Sequence, residues 1–137
     1  MPGTDSAYML FFSELPDECY AGMSADEKQQ LTDAWNAWYD GLAVAGKVQH
    51  GHPLEPARRV VSGSRGESVV DGPFAEAKET IGGYFLLTVD SFDEATEIAQ
   101  RCPSLRLGMK VEVRRVAGSC AQLGVKGRPA AAARAQA

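Results

Sequence analysis

Tyr84-Phe85-Leu86-Leu87-Thr88-Val89 constrains the fold more than any other stretch of the chain. On a strand, successive side chains alternate between the two faces of the sheet. Tyr84, Leu86 and Thr88 then take one face, and Phe85, Leu87 and Val89 take the other. Neither face is built for water, so this strand belongs inside a sheet that is covered on both sides. Gly82 and Gly83 at its start predict a bulge, or the close approach of another backbone.

Two helices supply cover for one side. Ser24-Ala25-Asp26-Glu27 has the spacing of a capping box, in which the serine accepts from the glutamate N–H and the glutamate reaches back. Behind it Leu31, Trp35, Trp38, Leu42 and Ala45 form one apolar stripe, which Gly46 ends. Ser91 and Glu94 predict a second box, followed by Phe92, Ala95, Ile98, Ala99 and Cys102 on one helical face before Pro103. Strands are predicted at Tyr8–Ser13, Lys47–His52, Ile81–Asp90 and Met109–Val116. A hairpin is predicted from Arg58–Ser62 and Glu67–Asp71 around Gly63-Ser64-Arg65-Gly66, and Glu14 to Met23 reads as a loop. The expected fold class is α+β, a ferredoxin-like β-α-β-β-α-β sandwich with an inserted β-hairpin. Both helices cover one face of an antiparallel sheet. A second copy of the chain is the simplest cover for the other face, so a homodimer is expected.

Charge and cysteine content narrow the function classes. Among 137 residues the net charge is −4. The segment 118–137 holds Lys126, Arg128 and Arg134 and no acid, so the body keeps 18 acids against 11 of the 14 bases, about −7. Such a body is a poor match for a phosphate backbone, and no direct nucleic-acid partner is expected. Cys19, Cys102 and Cys120 show no metal-ligand spacing and fit reduced thiols, hence a cytoplasmic protein. Tyr8 to Phe12 is too short for a membrane span, and no membrane association is expected. Residues 1–6 are expected to be disordered, 7–117 to form the domain, and 118–137 to be a flexible tail rich in Ala with Arg.

Candidate chemistry concentrates in Asp71-Gly72-Pro73-Phe74-Ala75-Glu76-Ala77-Lys78-Glu79. Asp71 can accept from the N–H groups after it in an Asx turn, Gly72 opens the backbone, and Pro73 fixes φ ahead of the apolar Phe74. One reading makes this a rigid, capped loop with Glu76, Lys78 and Glu79 in solvent. The other makes Asp71 and a neighbouring glutamate the polar floor of a cleft, able to act as a base or bind a cationic group. His50 and His52 share a strand face at a spacing that metal sites use, but nothing fixes a third ligand and no metal is expected. Glu112 and Arg114 lie on the polar face of the last strand, where a charge should be paired or line a cavity. No Cys or Ser has an evident His partner, and no organic cofactor is expected.

The run Val70 to Glu79, followed by Gly82-Gly83-Tyr84-Phe85, resembles the YCII-related proteins of the DGPF group, which read DGPF-x-E-x-K-E and then GG[YF]. Tyr8-Met9-Leu10, the Ser24 box and Val111-Glu112-Val113-Arg114 fit the same pattern, over about residues 7–117. The resemblance implies a ferredoxin-like protomer in a dimeric α+β barrel. It also implies a regulatory setting, with a sigma factor or another transcription component as partner. The wider superfamily is associated with a His–Asp pair in an enzyme-like cleft, although the group's pattern does not require a histidine at position 50 or 52. The long tail after Gly118 departs from the pattern and inherits nothing.

The expected function is therefore a small-molecule-binding or regulatory module. Its ligand site comprises Asp71, Gly72, Pro73, Phe74, Glu76, Lys78, Glu79, His52 and Glu112. The alternatives are a small cofactor-independent enzyme using Asp71 or His50 as acid/base, and an accessory protein of the transcription machinery.

Overall fold

The computed structural model describes residues 7–72 and 80–127. Ala7–Ser13 forms β1, Glu18–Ala21 forms the single-turn α1, and Ala25–Val44 forms α2. Val48–Pro53 is β2, Arg58–Ser62 is β3, Ser68–Gly72 is β4 and Ile81–Thr88 is β5. Phe92–Ala99 is α3, Leu105–Leu107 makes a short 3₁₀ turn, and Val111–Arg115 is β6. Two sheets result: a four-stranded one in the order β2-β5-β1-β6, and the separate β3-β4 hairpin. Every pairing in both is antiparallel. The order agrees with the α+β sandwich and inserted hairpin read from the sequence.

Alternation along β1 and β5 divides the sheet into two faces. Tyr8, Leu10 and Phe12 join Phe85, Leu87 and Val89 in the buried core, with Leu10 and Leu87 wholly inaccessible. Both helices lie over this face. Ala95, Ile98, Ala99 and Cys102 complete the core from α3 and its exit, and Trp35, Trp38, Tyr39 and Leu42 pack against it from α2. Phe12, Trp35, Trp38 and Phe85 meet mostly edge to face, with centroids 4.9–6.2 Å apart, an arrangement suited to the aromatic quadrupole. The opposite face carries Met9 and Phe11 of β1 beside Leu86 and Tyr84 of β5, all half-buried within this chain.

The Gly82-Gly83 pair does both things expected of it. The β1–β5 register runs Phe12↔Gly83 and then Ser13↔Ile81, so Gly82 is the extra residue of a bulge. A Cβ on Gly83 would sit 3.0 Å from the His52 carbonyl oxygen of β2, and one on Gly82 would sit 3.3 Å from Glu14 Cα. Both glycines are needed because other backbone passes against them.

Three local expectations change. The Ser24 box is complete: Ser24 Oγ accepts from Glu27 N–H at 3.1 Å, and Glu27 Oε1 accepts from Ser24 N–H at 2.8 Å. At Ser91 only half forms. Ser91 Oγ accepts from Glu94 N–H at 3.0 Å, but the Glu94 carboxylate turns to Lys47 Nζ at 2.9 Å. A charge-assisted partner brought in by the start of β2 outcompetes a neutral N–H. Lys47 holds the Glu94 carboxyl below the usual carboxylate range. The Glu14–Met23 loop contains α1, one turn with Asp17 at its N-cap. Segment 118–127, expected to be part of a flexible tail, carries a bridge between Ser119 and Lys126, with Gly124 at positive φ in its turn.

Candidate functional site

The β1 end, the β2 end, the start of β5 and α2 enclose a cleft of about 730 Å³. Phe12, Phe85, Trp35 and Tyr39 line its apolar part. Trp35 is locked in place: its indole Nε1–H donates to Ser104 Oγ at 2.8 Å, and Ser104 is buried in the turn after α3. Trp38 lies behind it against Phe12 and Phe85, and its indole N–H is buried without a partner among the described residues. Tyr20 of α1 borders the cleft, and burial pushes its phenol above the usual tyrosine range.

A clip of three side chains closes one end. Glu14, just past β1, receives two hydrogen bonds from Arg58 Nη2, at 2.9 and 2.8 Å, and one from Thr80 Oγ1 at 2.5 Å. Arg58 begins the hairpin and Thr80 leads into β5, so one carboxylate ties both ends of the 58–80 excursion to the sheet. The Arg58 guanidinium, helped by the Thr80 hydroxyl, holds the Glu14 carboxyl below its ordinary value.

The sequence-selected residues fall into three places. His50 and His52 stand on the open sheet face opposite Leu86 and Tyr84. His50 Nδ1 is hydrogen-bonded to Tyr84 Oη at 2.9 Å, and His52 lies 5.9 Å from the Tyr84 ring between centroids. Glu112 and Arg114 occupy the other edge of that face, both exposed, 4.0 Å apart. Asp71 is on the hairpin. Its carboxylate accepts from Arg59 Nε at 3.0 Å, directly across the β3–β4 ladder, and both side chains are about three-quarters exposed. Asp71 and Gly72 border only a shallow depression with Arg58 and Arg59. Pro73, Phe74, Glu76, Lys78 and Glu79 lie outside the described residues, as does the expected Asx turn into them. His52 alone of the described candidates borders the large cleft. Among the described residues no three His, Cys, Asp or Glu side chains are grouped to hold a metal ion. No helix of the described residues is long and apolar enough to cross a membrane.

Sequence reasoning missed Glu14, Arg58 and Thr80, which are far apart in the chain and carry no motif. It also took Trp35 for core packing alone; its i, i+4 spacing from Leu31 hid its place in the cleft wall. The exposed Arg59–Asp71 pair has a direct test. Asp71→Asn should change stability by no more than about 1 kcal/mol, the scale of exposed ion pairs, as measured by urea denaturation.

The YCII-related domain model matches residues 7–117, which is most of the chain. The protein belongs to the YCII-related family. An uncharacterised protein of Rhizobium meliloti (strain 1021) is 34% identical over 87 residues, covering 53% of this chain and 70% of that protein. A solved structure, 5-chloro-2-hydroxyhydroquinone dehydrochlorinase (TftG) of Burkholderia phenoliruptrix AC1100 in complex with 2,5-dihydroxybenzoquinone, superposes with a TM-score of 0.49 at 16% identity. The match covers 82% of this chain and 95% of that one. A likeness at that level bears on neither activity nor substrate.

Proposed function

We propose that this YCII-related protein is a small-molecule-binding module whose ligand lies in the cleft between α2 and the sheet end, and that it works as a homodimer through its open sheet face. The cleft carries the reading. Its volume of about 730 Å³ is in the range of ligand sites, and it combines aromatic walls with a few fixed polar groups. The pinned Trp35 wall and the Glu14 clip support a preformed site, which lowers the ordering cost of binding. Of the expected Asp71–Glu79 floor, Asp71 and Gly72 border another depression and residues 73–79 lie outside the described residues; the proposed cleft is bordered by Gly82-Gly83 where the chain rejoins the sheet.

A fluorescence and thermal-shift screen against a metabolite library tests the reading. A ligand should alter Trp emission and raise the melting temperature as binding to the native state requires. Asn36→Trp, which sets an indole on the exposed rim of the cleft, should abolish binding while the protein still melts cooperatively. A ligand that binds this variant with unchanged affinity would place the site elsewhere.

Support for the dimer comes from Met9, Phe11, Leu86 and Tyr84, an apolar band in the two central strands that the helices leave uncovered. Sedimentation at micromolar concentration should show a dimer. Leu86→Arg, which puts a charge in the middle of the band, should shift it to monomer by weakening association about 100-fold or more, as loss of a central interface anchor does. A wild-type monomer would refute the proposed assembly.

A second reading, cofactor-independent acid/base catalysis by a histidine, is supported by the His50–Tyr84 hydrogen bond. Under that reading His50→Gln removes turnover of a bound ligand and leaves its affinity within about threefold, less than one good hydrogen bond.

A further inference from the structure

The charges around the cleft are one-sided. Its described lining includes two carboxylates, Glu14 and Asp17, one histidine, His52, and neither lysine nor arginine. The two acids are not equivalent. Glu14 is committed to Arg58 and Thr80. Asp17 is exposed at the N-cap of α1, yet its side chain makes no capping hydrogen bond and enters no ion pair among the described residues. The same wall presents Phe12, Tyr20, Trp35, Tyr39 and Phe85. Aromatic faces carry negative potential and attract ammonium groups, most strongly where water is excluded. An anionic ligand entering here would meet aromatic side chains and the Asp17 carboxylate, while Arg58, at the closed end, is already held by Glu14. The acidic body, 18 acids against 11 bases before residue 118, adds a long-range field that draws cations and repels anions.

From these observations we propose that the cleft takes an organic cation, an ammonium head on an apolar or aromatic body, with Asp17 as the counter-charge at its mouth. The proposal rests on the small-molecule reading of the cleft and sharpens it to a ligand class. The aromatic walls receive the body of the ligand. Asp17 stays partly in water, so its contribution is the screened attraction of an exposed charge, additional to the ring faces.

The test uses the full chain and three ligands of nearly one shape: phenethylamine, 2-phenylethanol and phenylacetate, which are cationic, neutral and anionic at pH 7. Binding is read from the emission of Trp35 and Trp38 and from the melting temperature. Phenethylamine should bind about tenfold more tightly than 2-phenylethanol, about 1.4 kcal/mol, and phenylacetate more weakly than either. Raising the salt from about 0.05 M to 0.5 M should narrow the amine's advantage, because an exposed charge is screened over a few ångströms at the higher value. Asp17→Asn should reduce that advantage about threefold or more and leave 2-phenylethanol unchanged. The Asp17 side chain makes no capping hydrogen bond that the change could remove, so the variant's melting temperature should match the wild type.

Equal affinity for the amine and the alcohol, or tightest binding of the carboxylate, overturns the cation proposal and leaves the cleft standing as a small-molecule site. An unaltered preference for the amine in Asp17→Asn overturns the role given to Asp17. Failure of all three compounds, and of the wider library, to shift either signal removes the cleft reading and this proposal with it. The wild-type ligand series decides the matter even if the variant folds poorly.

Discussion

Gly51→Ala should destabilise the protein by about 2–3 kcal/mol, the upper part of the range for overpacking a filled core. Gly51 has no unusual φ, so the cost is one of space. A Cβ there would overlap Phe85 Cδ1 and lie 2.9 Å from the Tyr84 carbonyl oxygen. Neither neighbour can give way easily. The carbonyl belongs to the central strand β5, and the Phe85 ring is held by Phe12, Trp35, Trp38 and Tyr39 at centroid distances of 4.9–6.2 Å. Gly41→Ala provides the control. It sits inside α2 with nothing within 4 Å of an added Cβ. That substitution should stabilise the protein by about 0.5–1 kcal/mol, since alanine loses less backbone entropy in a helix. Urea denaturation of the two variants should give shifts of opposite sign. A Gly51→Ala protein as stable as wild type would mean that β2 packs on β5 less closely than described.

Glu14→Gln should cost about 1–3 kcal/mol, as loss of a charged hydrogen-bonding partner does when the other charge stays covered. Roughly a quarter of each side chain is exposed, 26% for Glu14 and 22% for Arg58, so the pair is shielded far more than Arg59–Asp71. The pH dependence follows from the direction of the shift. The folded state lowers the Glu14 pKa from an ordinary value of 4.5, so its stabilisation is complete above that value. It is lost as pH falls from there through the lower folded value, where the carboxylate must take a proton. Wild-type stability should therefore decline below about pH 4.5, and Glu14→Gln should decline less steeply over the same window. Because Glu14 holds both Arg58 and Thr80, the variant should also speed amide exchange at Arg58 and Thr80. Parallel acid titrations of the two proteins would show the Glu14 contribution as their difference.

These two residues mark the boundary of what could be read from the sequence. Runs with strong period were legible. Tyr84–Val89 had to be a central strand because both its faces are apolar, and Leu31-Trp35-Trp38-Leu42 had to be a helix covering it. Ser24 and Glu27 announced the start of that helix through a pattern local enough to form from four residues. The second box was only half right, because a lysine nearly fifty residues earlier took the glutamate. The DGPF run correctly marked the family. As a site it drew attention to Asp71, which in the folded chain pairs with Arg59 across an exposed hairpin, and to residues 73–79, which lie outside the described residues. The cleft had no local signature. Phe12, Trp35 and Phe85 each read as ordinary core positions, and Glu14 as a loop acid.

The sequence by itself determined the α+β class, the strand that must be central, the two covering helices, the hairpin and the family. These follow from side-chain period and from turn and cap chemistry, which act over a few residues. Tertiary structure decided where the cleft lies, that Glu14 ties the hairpin to the sheet, and that a side chain on Gly51 would overlap Phe85. Each of those depends on atoms brought together from distant segments. Their separation is set by strand register and by how the helices pack on the sheet, which no local pattern encodes, although the Gly82-Gly83 pair did signal the bulge.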